Sequence, residues 1–259
     1  MNKLFIDKDI KIYQGKEAEN LISQKNDSIY IENGEILKVD KDRWAEAQHY
    51  ERKTWMTNGL NFSDDRNYEH HQRFDSYKSI VNYQKKNKIK TSIELGCGPF
   101  TNIRTFIDLL PDLKEIHLLD PLINDYLNHP NCKYKNGKML DFDVKTYNYP
   151  IEEFKSEIKY DLVIMNNVLE HCFDIEKIFE NVLDMLNTNG IFIFSDVYFN
   201  KEDIERMVHI IYDAGHPIRL SSWYLSEFLY NFTEIYSLDL QGLYGQSWRN
   251  DKYFIGIKK

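Results

Sequence analysis

The run Thr91-Ser92-Ile93-Glu94-Leu95-Gly96-Cys97-Gly98-Pro99-Phe100 sets a carboxylate, Glu94, at the end of an apolar strand and directly before a Gly-x-Gly turn. A second apolar run, Ile116 to Leu119, ends in Asp120 and Pro121. In a parallel sheet two such strands would lie side by side. The glycines would then let a ligand approach the backbone, with a carboxylate on either side of it. That arrangement suits a molecule with a free amine, facing Glu94, and a ribose diol, facing Asp120.

Two cofactor classes compete for such a turn. A dinucleotide site rests a pyrophosphate on a helix N-terminus and needs a third glycine at position 101, which here is Thr101. A carboxylate at Glu94 would also repel a pyrophosphate, which argues against a nicotinamide oxidoreductase. S-adenosylmethionine has no phosphate and presents an ammonium together with a ribose diol. Asp120 accommodates either cofactor, because an acidic side chain accepts from ribose hydroxyls in both. The residues therefore favour S-adenosylmethionine. They do not separate an enzyme from a binding module that only holds the cofactor.

From Thr91 to Lys259 the chain resembles the class I S-adenosylmethionine-dependent methyltransferases. The resemblance rests on ELGCGP as first motif, HLLDP as second strand, Tyr160 to His171 as the fourth strand with its Leu-Glu-His ending, and LNTNGIFIFSD as the turn into strand five. Phe100 stands where many members have a third glycine, which would narrow the pocket near the methionine tail. The resemblance implies an α/β fold with a doubly wound, mostly parallel seven-stranded sheet, Rossmann-like. It also implies a cofactor set of Glu94, Gly96, Cys97, Gly98, Asp120, Pro121 and Asn166. Quinone-pathway relatives hold a metal through Glu-x-x-Glu-His. Asn167 replaces the first carboxylate here, so no metal is expected. The pattern Arg43-Trp44-Ala45-Glu46-Ala47-Gln48 further resembles methyltransferases of bacterial surface-polysaccharide synthesis. It points to O-methylation of a sugar, sugar nucleotide or phosphate-type precursor, with nitrogen or carbon methylation of another metabolite as the alternative.

Methyl transfer is an in-line displacement, so the protein must align the acceptor and, for a hydroxyl, remove its proton. His171 follows strand four, titrates in the useful range and is the first candidate base, with His216 and His70 next. Each has a plainer reading as a capping or surface residue. Arg66 to His71 precede the first sheet strand, where relatives cover the cofactor. Tyr68 would offer a ring to the sulfonium there, and Tyr68 to Tyr77 would form a lid. Asp141, or its neighbour Asp143, would accept from the adenine amine at the end of strand three. Trp44 and Trp55 read as core packing.

These residues need a scaffold. A β-hairpin is expected over 28–39 around Asn33-Gly34, then helices from about Asp42 to Met56 and from about Asn67 to Lys86. This leader, residues 1–88, would cap a methyltransferase domain of residues 89–259. Strands are expected at Thr91–Leu95, Glu115–Leu119, Cys132–Lys135 and Leu162–Asn166, with two closing strands at Thr233–Leu240 and Lys252–Ile257. Helical stripes cover Ile103 to Leu110, Ile175 to Leu186 and Ile204 to Ile211, and Asn189-Gly190 leads into strand five.

The chain has 259 residues, enough for one sizeable core with an appendage. Its net charge of −8, from 33 basic and 41 acidic residues, opposes binding to nucleic acid. With no signal-like start, no apolar stretch of membrane length and three cysteines in no metal or disulfide spacing, the expectation is a cytoplasmic protein acting on a small-molecule acceptor, without membrane insertion. The sequence sets no oligomeric state.

Overall fold

The computed structural model describes residues 29–32, 35–62, 65–200, 215–246 and 249–259. The leader begins as an antiparallel ribbon of β1 (Ile29–Glu32) and β2 (Glu35–Val39). Its expected Asn33-Gly34 turn lies outside the described residues, as does the helix expected around Ile204 to Ile211. Helix α1 (Lys41–Lys53) is capped by Asp40, which accepts from Arg43 N at 2.8 Å, and not by Asp42. It runs directly into a π-helical turn, Thr54–Asn58.

The sequence predicts one helix over the next segment, but the chain forms two, α2 (Asp65–Arg73) and α3 (Lys78–Gln84). They are divided by three successive left-handed residues, Asp75, Ser76 and Tyr77, with φ of 48°, 53° and 57°. Such backbone costs on the order of 1–3 kcal/mol per residue, so packing must hold it. Phe74 and Tyr77 are fully buried, and the Tyr77 ring stacks on Phe106 with centroids 3.9 Å apart.

The sheet strands are β3 (Thr91–Leu95), β4 (Glu115–Leu119), β5 (Lys138–Met139), β6 (Phe142–Tyr147), β7 (Tyr160–Asn166), β8 (Leu186–Tyr198), β9 (Phe232–Gln241) and β10 (Asn250–Lys258). Their order is β5-β6-β4-β3-β7-β8-β10-β9. The strands from β6 to β8 run parallel, and β10 lies antiparallel between β8 and β9. This is the doubly wound sheet expected, with the two-residue β5 as an eighth strand. Winding reverses between β3 and β7, and ligand sites of such sheets open at the strand C-termini there.

Three local expectations fail. Strand three is β6, ten residues beyond Cys132, because Cys132 to Tyr134 pack as loop beneath the glycine turn. The stripe from Ile103 to Leu110 forms two 3-10 turns, Ile103–Thr105 and Ile107–Leu109, with Phe106 non-helical (φ −137°, ψ 13°) between them. Beyond the short α4 (Ile123–Tyr126), helix α5 (Ile175–Met185), capped by Asp174, ends before Leu186, so Asn189-Gly190 lies inside β8 at an irregularity in its pairing.

Alternation along the strands divides the core between two faces. On one, Val163, Met165, Phe192 and Phe194 meet α5 and α6 (Ser222–Leu229). On the other, Leu162, Ile164, Ile191 and Ile193 meet Phe74, Tyr77 and Ile80 of the leader. Leader and sheet thus share a core. The ribbon also pairs with the loop after β8, since Ile36 and Arg219 exchange backbone hydrogen bonds of 3.0 and 2.9 Å.

Candidate active site

The glycine turn is fastened to the adjacent strand end. Gly96 N and Cys97 N donate to Leu119 O at 2.8 and 3.3 Å. Gly96 has φ +64°, and a Cβ there would lie 2.5 Å from Val168 Cγ2, so glycine is required on both counts. Gly98 also has positive φ, but a Cβ there would meet nothing within 4 Å. One glycine serves packing, and the other leaves open space at the strand ends. The Cys97 side chain is buried with its thiol against Tyr134, so this residue faces the turn through its backbone.

Asp120 follows β4 on the same edge. Its carboxylate accepts from Gly98 N at 3.1 Å and Leu122 N at 2.8 Å, which ties the two strand ends together. Burial pushes its carboxyl up to about 7, with the charges of Glu51 and Glu94 adding to the effect. Pro121 continues the chain beside it, half-buried.

Glu94 turns its carboxylate into the loop that follows the glycine turn. Its Oε2 accepts from Thr101 Oγ1 at 2.5 Å and Ile103 N at 3.0 Å. Its Oε1 accepts from Asn102 N at 2.6 Å and Asn102 Nδ2 at 3.0 Å. The side chain is 1% exposed, and burial raises its carboxyl despite those four donors. Glu94 therefore builds the glycine loop from beneath.

The loop after β7 is held in a similar way. Asp196, buried on β8, accepts from Val168 N and Leu169 N, both at 2.7 Å. Burial pushes its carboxyl up to about 7. Asn166 ends β7. Its Oδ1 accepts from Ser195 Oγ at 3.2 Å, while its Nδ2 is buried with no hydrogen-bond partner. His70 of α2 reaches the same place, with Nδ1 3.5 Å from Ser195 Oγ. A buried carboxylate at Asp120, an open cradle at Gly98 and an unanswered donor at Asn166 thus line one edge. That donor set fits S-adenosylmethionine: Asp120 for a diol, the glycine backbone for close approach, and Asn166 for a polar group.

His171 and His216 come together, with ring centroids 4.5 Å apart. His171 Nδ1 lies 3.0 Å from Gly215 O, so the ring carries its proton on Nδ1 and leaves Nε2 unprotonated. Burial lowers its pKa, His216 lowers it further, and Glu51 opposes both. Glu170, beside it, pairs with Arg219 Nη1 at 3.6 Å.

Other expectations need correction. Asp141 precedes β6 rather than following it, so it sits at the strand's N-terminal end, on the opposite edge of the sheet from Asp120. Asp143 is exposed and pairs with Lys138. The residue at the right end is Asn148, which follows Tyr147, the acceptor for Asp120 N at 3.1 Å. A lid from Tyr68 to Tyr77 is too long, because Phe74 and Tyr77 are core and Arg73 Nη1 is held by Tyr253 Oη at 2.6 Å. Tyr68 is 46% exposed and accepts from Arg104 Nη1 at 3.2 Å, just beyond the glycine loop. Trp44 and Trp55 are not a packing pair. Trp44 meets Phe173, and Trp55 lies edge-on to Phe100, 5.6 Å away, and to Tyr126. Glu51, absent from the sequence reading, joins Trp55 to His171.

Residues 93–192 match the family model described as a methyltransferase domain. No curated protein matches the chain. Among solved structures, the fold is similar to that of the N-methyltransferase NodS from Bradyrhizobium japonicum WM9 in complex with S-adenosylhomocysteine. That pair has a TM-score of 0.54 at 14% identity, over 82% of this chain and 98% of the other. A protein from Galdieria sulphuraria assigned as a sarcosine dimethylglycine methyltransferase gives 0.58 at 12% identity, over 83% and 98%. The 1,6-didemethyltoxoflavin-N1-methyltransferase of Burkholderia thailandensis, bound to 1,6-didemethyltoxoflavin and S-adenosylhomocysteine, gives 0.50 at 12% identity, over 90% and 99%. Among the described residues no helix is long and apolar enough to cross a membrane. The family model identifies residues 93–192 as a methyltransferase domain, and the structural likenesses show that the chain has the fold of the class I S-adenosylmethionine-dependent methyltransferases.

Proposed function

We propose that the chain O-methylates a small polar acceptor, a sugar hydroxyl of a surface-glycan precursor, with His171 as general base. The observation that carries this reading is the Gly215 carbonyl 3.0 Å from His171 Nδ1, which leaves Nε2 to receive a proton. Burial keeps the imidazole neutral at physiological pH, as a base must be. S-adenosylmethionine supplies an activated methyl group. His171 Nε2 would take the acceptor's hydroxyl proton as the acceptor oxygen receives the methyl group that the cofactor would supply. Asp120 would hold the ribose diol, Asn148 would accept from the adenine amine in place of Asp141, and Tyr68 with Arg104 would form the outer cover. Glu51 and Glu170 near His171 disfavour a phosphate at the reacting position by like-charge repulsion, so phosphate groups of a sugar nucleotide would lie away from it.

The same carboxylates favour a second reading, an amine acceptor held as its ammonium before transfer. Incubating the full chain with S-adenosylmethionine and matched hydroxyl and amine sugars, and measuring S-adenosylhomocysteine release, separates the two. The first reading predicts turnover on a hydroxyl sugar and a loss of about 10²–10⁴ in rate for His171→Ala. Wild-type turnover by that variant, or turnover on amines alone, rejects it.

A further inference from the structure

Glu51 lies on the last turns of α1, far from His171 in sequence, and no local pattern marks it. The structure gives it a place between the two halves of the site. Its Oε1 accepts from Trp55 Nε1 at 2.5 Å, and its Oε2 stands 3.8 Å from His171 Nδ1. Both side chains are largely covered, at 22% and 15% exposure. Trp55 belongs to the π-helical turn and wedges its indole among Phe62, Phe100 and Tyr126, beside the glycine loop. π-helical turns of this kind occur frequently at functional sites. The carboxylate is therefore aimed by an indole that is itself fixed on the cofactor side. Gln48, one turn earlier, donates to His171 O at 3.0 Å and fastens α1 to the same loop.

We propose that Glu51 is a positioning residue for His171, sharing Nδ1–H with the Gly215 carbonyl and stabilising the imidazolium formed when Nε2 accepts a proton. The inference rests on His171 acting as base. The groups facing this ring are Glu51 from α1, His216 and the Gly215 carbonyl from the loop after β8, and Glu170 on its own turn, which is engaged with Arg219. Burial and His216 disfavour the charged ring, and the two carboxylates oppose them. Of the two carboxylates, Glu51 exerts the larger influence. A leader helix would thus supply part of the proton-transfer machinery, and the catalytic site would be incomplete in residues 89–259 alone.

The test needs no acceptor. The full chain, carrying isotope-labelled histidine and saturated with S-adenosylhomocysteine, is titrated by NMR, and the His171 imidazole is followed in wild type and Glu51→Gln. Glutamine keeps the shape and an acceptor for Trp55 but removes the charge. An opposite charge within about 4–6 Å raises a histidine pKa by one unit or more when shielded from water. The His171 midpoint should therefore fall by at least about half a unit in the variant. An unchanged midpoint in a folded variant overturns the proposal. If Glu51→Gln does not fold, Trp55→Phe, which releases the carboxylate, should move the midpoint in the same direction, and no movement there overturns it equally. Turnover by His171→Ala keeps the two ideas apart. Wild-type rates in that variant reject the base assignment, whereas a lost rate with an unmoved Glu51→Gln midpoint rejects only the role of Glu51.

Discussion

Glu94→Gln tests whether the first carboxylate of the motif serves the loop or the cofactor. In the structure it answers four buried donors, the backbone N–H groups of Asn102 and Ile103 and the side chains of Thr101 and Asn102. A glutamine oxygen can replace one carboxylate oxygen, but its amide then faces donors at the other. Either Asn102 N or Ile103 N loses its acceptor, and a buried donor left unanswered costs about 1–3 kcal/mol. The Thr101 hydroxyl and the Asn102 amide can turn, so they add less. Burial raises the Glu94 carboxyl, so removing the charge returns some desolvation cost and sets the net loss toward the lower end of that range. Urea denaturation of the cofactor-free chain should show a loss of about 1–3 kcal/mol for Glu94→Gln and more for Glu94→Ala, out of a total of about 5–15. An alternative in which the carboxylate binds an ammonium predicts a different result. Unchanged stability, within about 0.5 kcal/mol, with affinity for S-adenosylhomocysteine reduced tenfold or more, would refute the reasoning.

Asp120 gives a pH dependence. Its carboxyl titrates at about 7 in the free chain, and hydroxyl donors favour the ionised form, so calorimetric affinity for S-adenosylhomocysteine should rise with pH through about 7 and then level. At pH 6 it should be roughly tenfold weaker than on the plateau, and Asp120→Asn should flatten the profile. The two loop glycines should separate. Gly96→Ala meets Val168 and should destabilise the chain by about 2–4 kcal/mol, while Gly98→Ala, strained but unobstructed, should cost about 1–2 and mainly weaken cofactor binding. Denaturation and calorimetry on both variants check that order. Asp141→Asn should leave affinity unchanged and Asn148→Ala should lower it, because only Asn148 shares an edge with Asp120.

The parts legible in the sequence are those whose signal is local. An apolar run, a glycine turn and a carboxylate occur within ten residues at Thr91 to Phe100, and Asp120 ends the next run, so the meeting of these two strand ends could be read directly. The doubly wound class of the sheet followed from the alternation of strands with helices. Strand three was misplaced because β6 has a single buried residue, Val144, and its polar neighbours hide it. That error carried Asp141 to the wrong edge. The break at Asp75 to Tyr77 is a tertiary effect, in which burial of Phe74 and Tyr77 overrides a continuous helical pattern. Glu94's partners lie within nine residues, yet the same sequence allows it to face either the loop or a ligand. Glu51 is one charge among several on a half-exposed helix, and only the packing of α1 against the loop after β7 brings it to His171.

Titration calorimetry of the full chain with S-adenosylhomocysteine, in parallel with a nicotinamide dinucleotide, tests the central claim most directly. The account predicts one molecule of S-adenosylhomocysteine per chain and no dinucleotide binding. It also predicts that Asp120→Ala weakens binding by about 1.5–3 kcal/mol, or roughly 10- to 150-fold, because charge-assisted hydrogen bonds to the diol are lost. Binding of the dinucleotide in its place, or unchanged affinity in a folded Asp120→Ala variant, would contradict it.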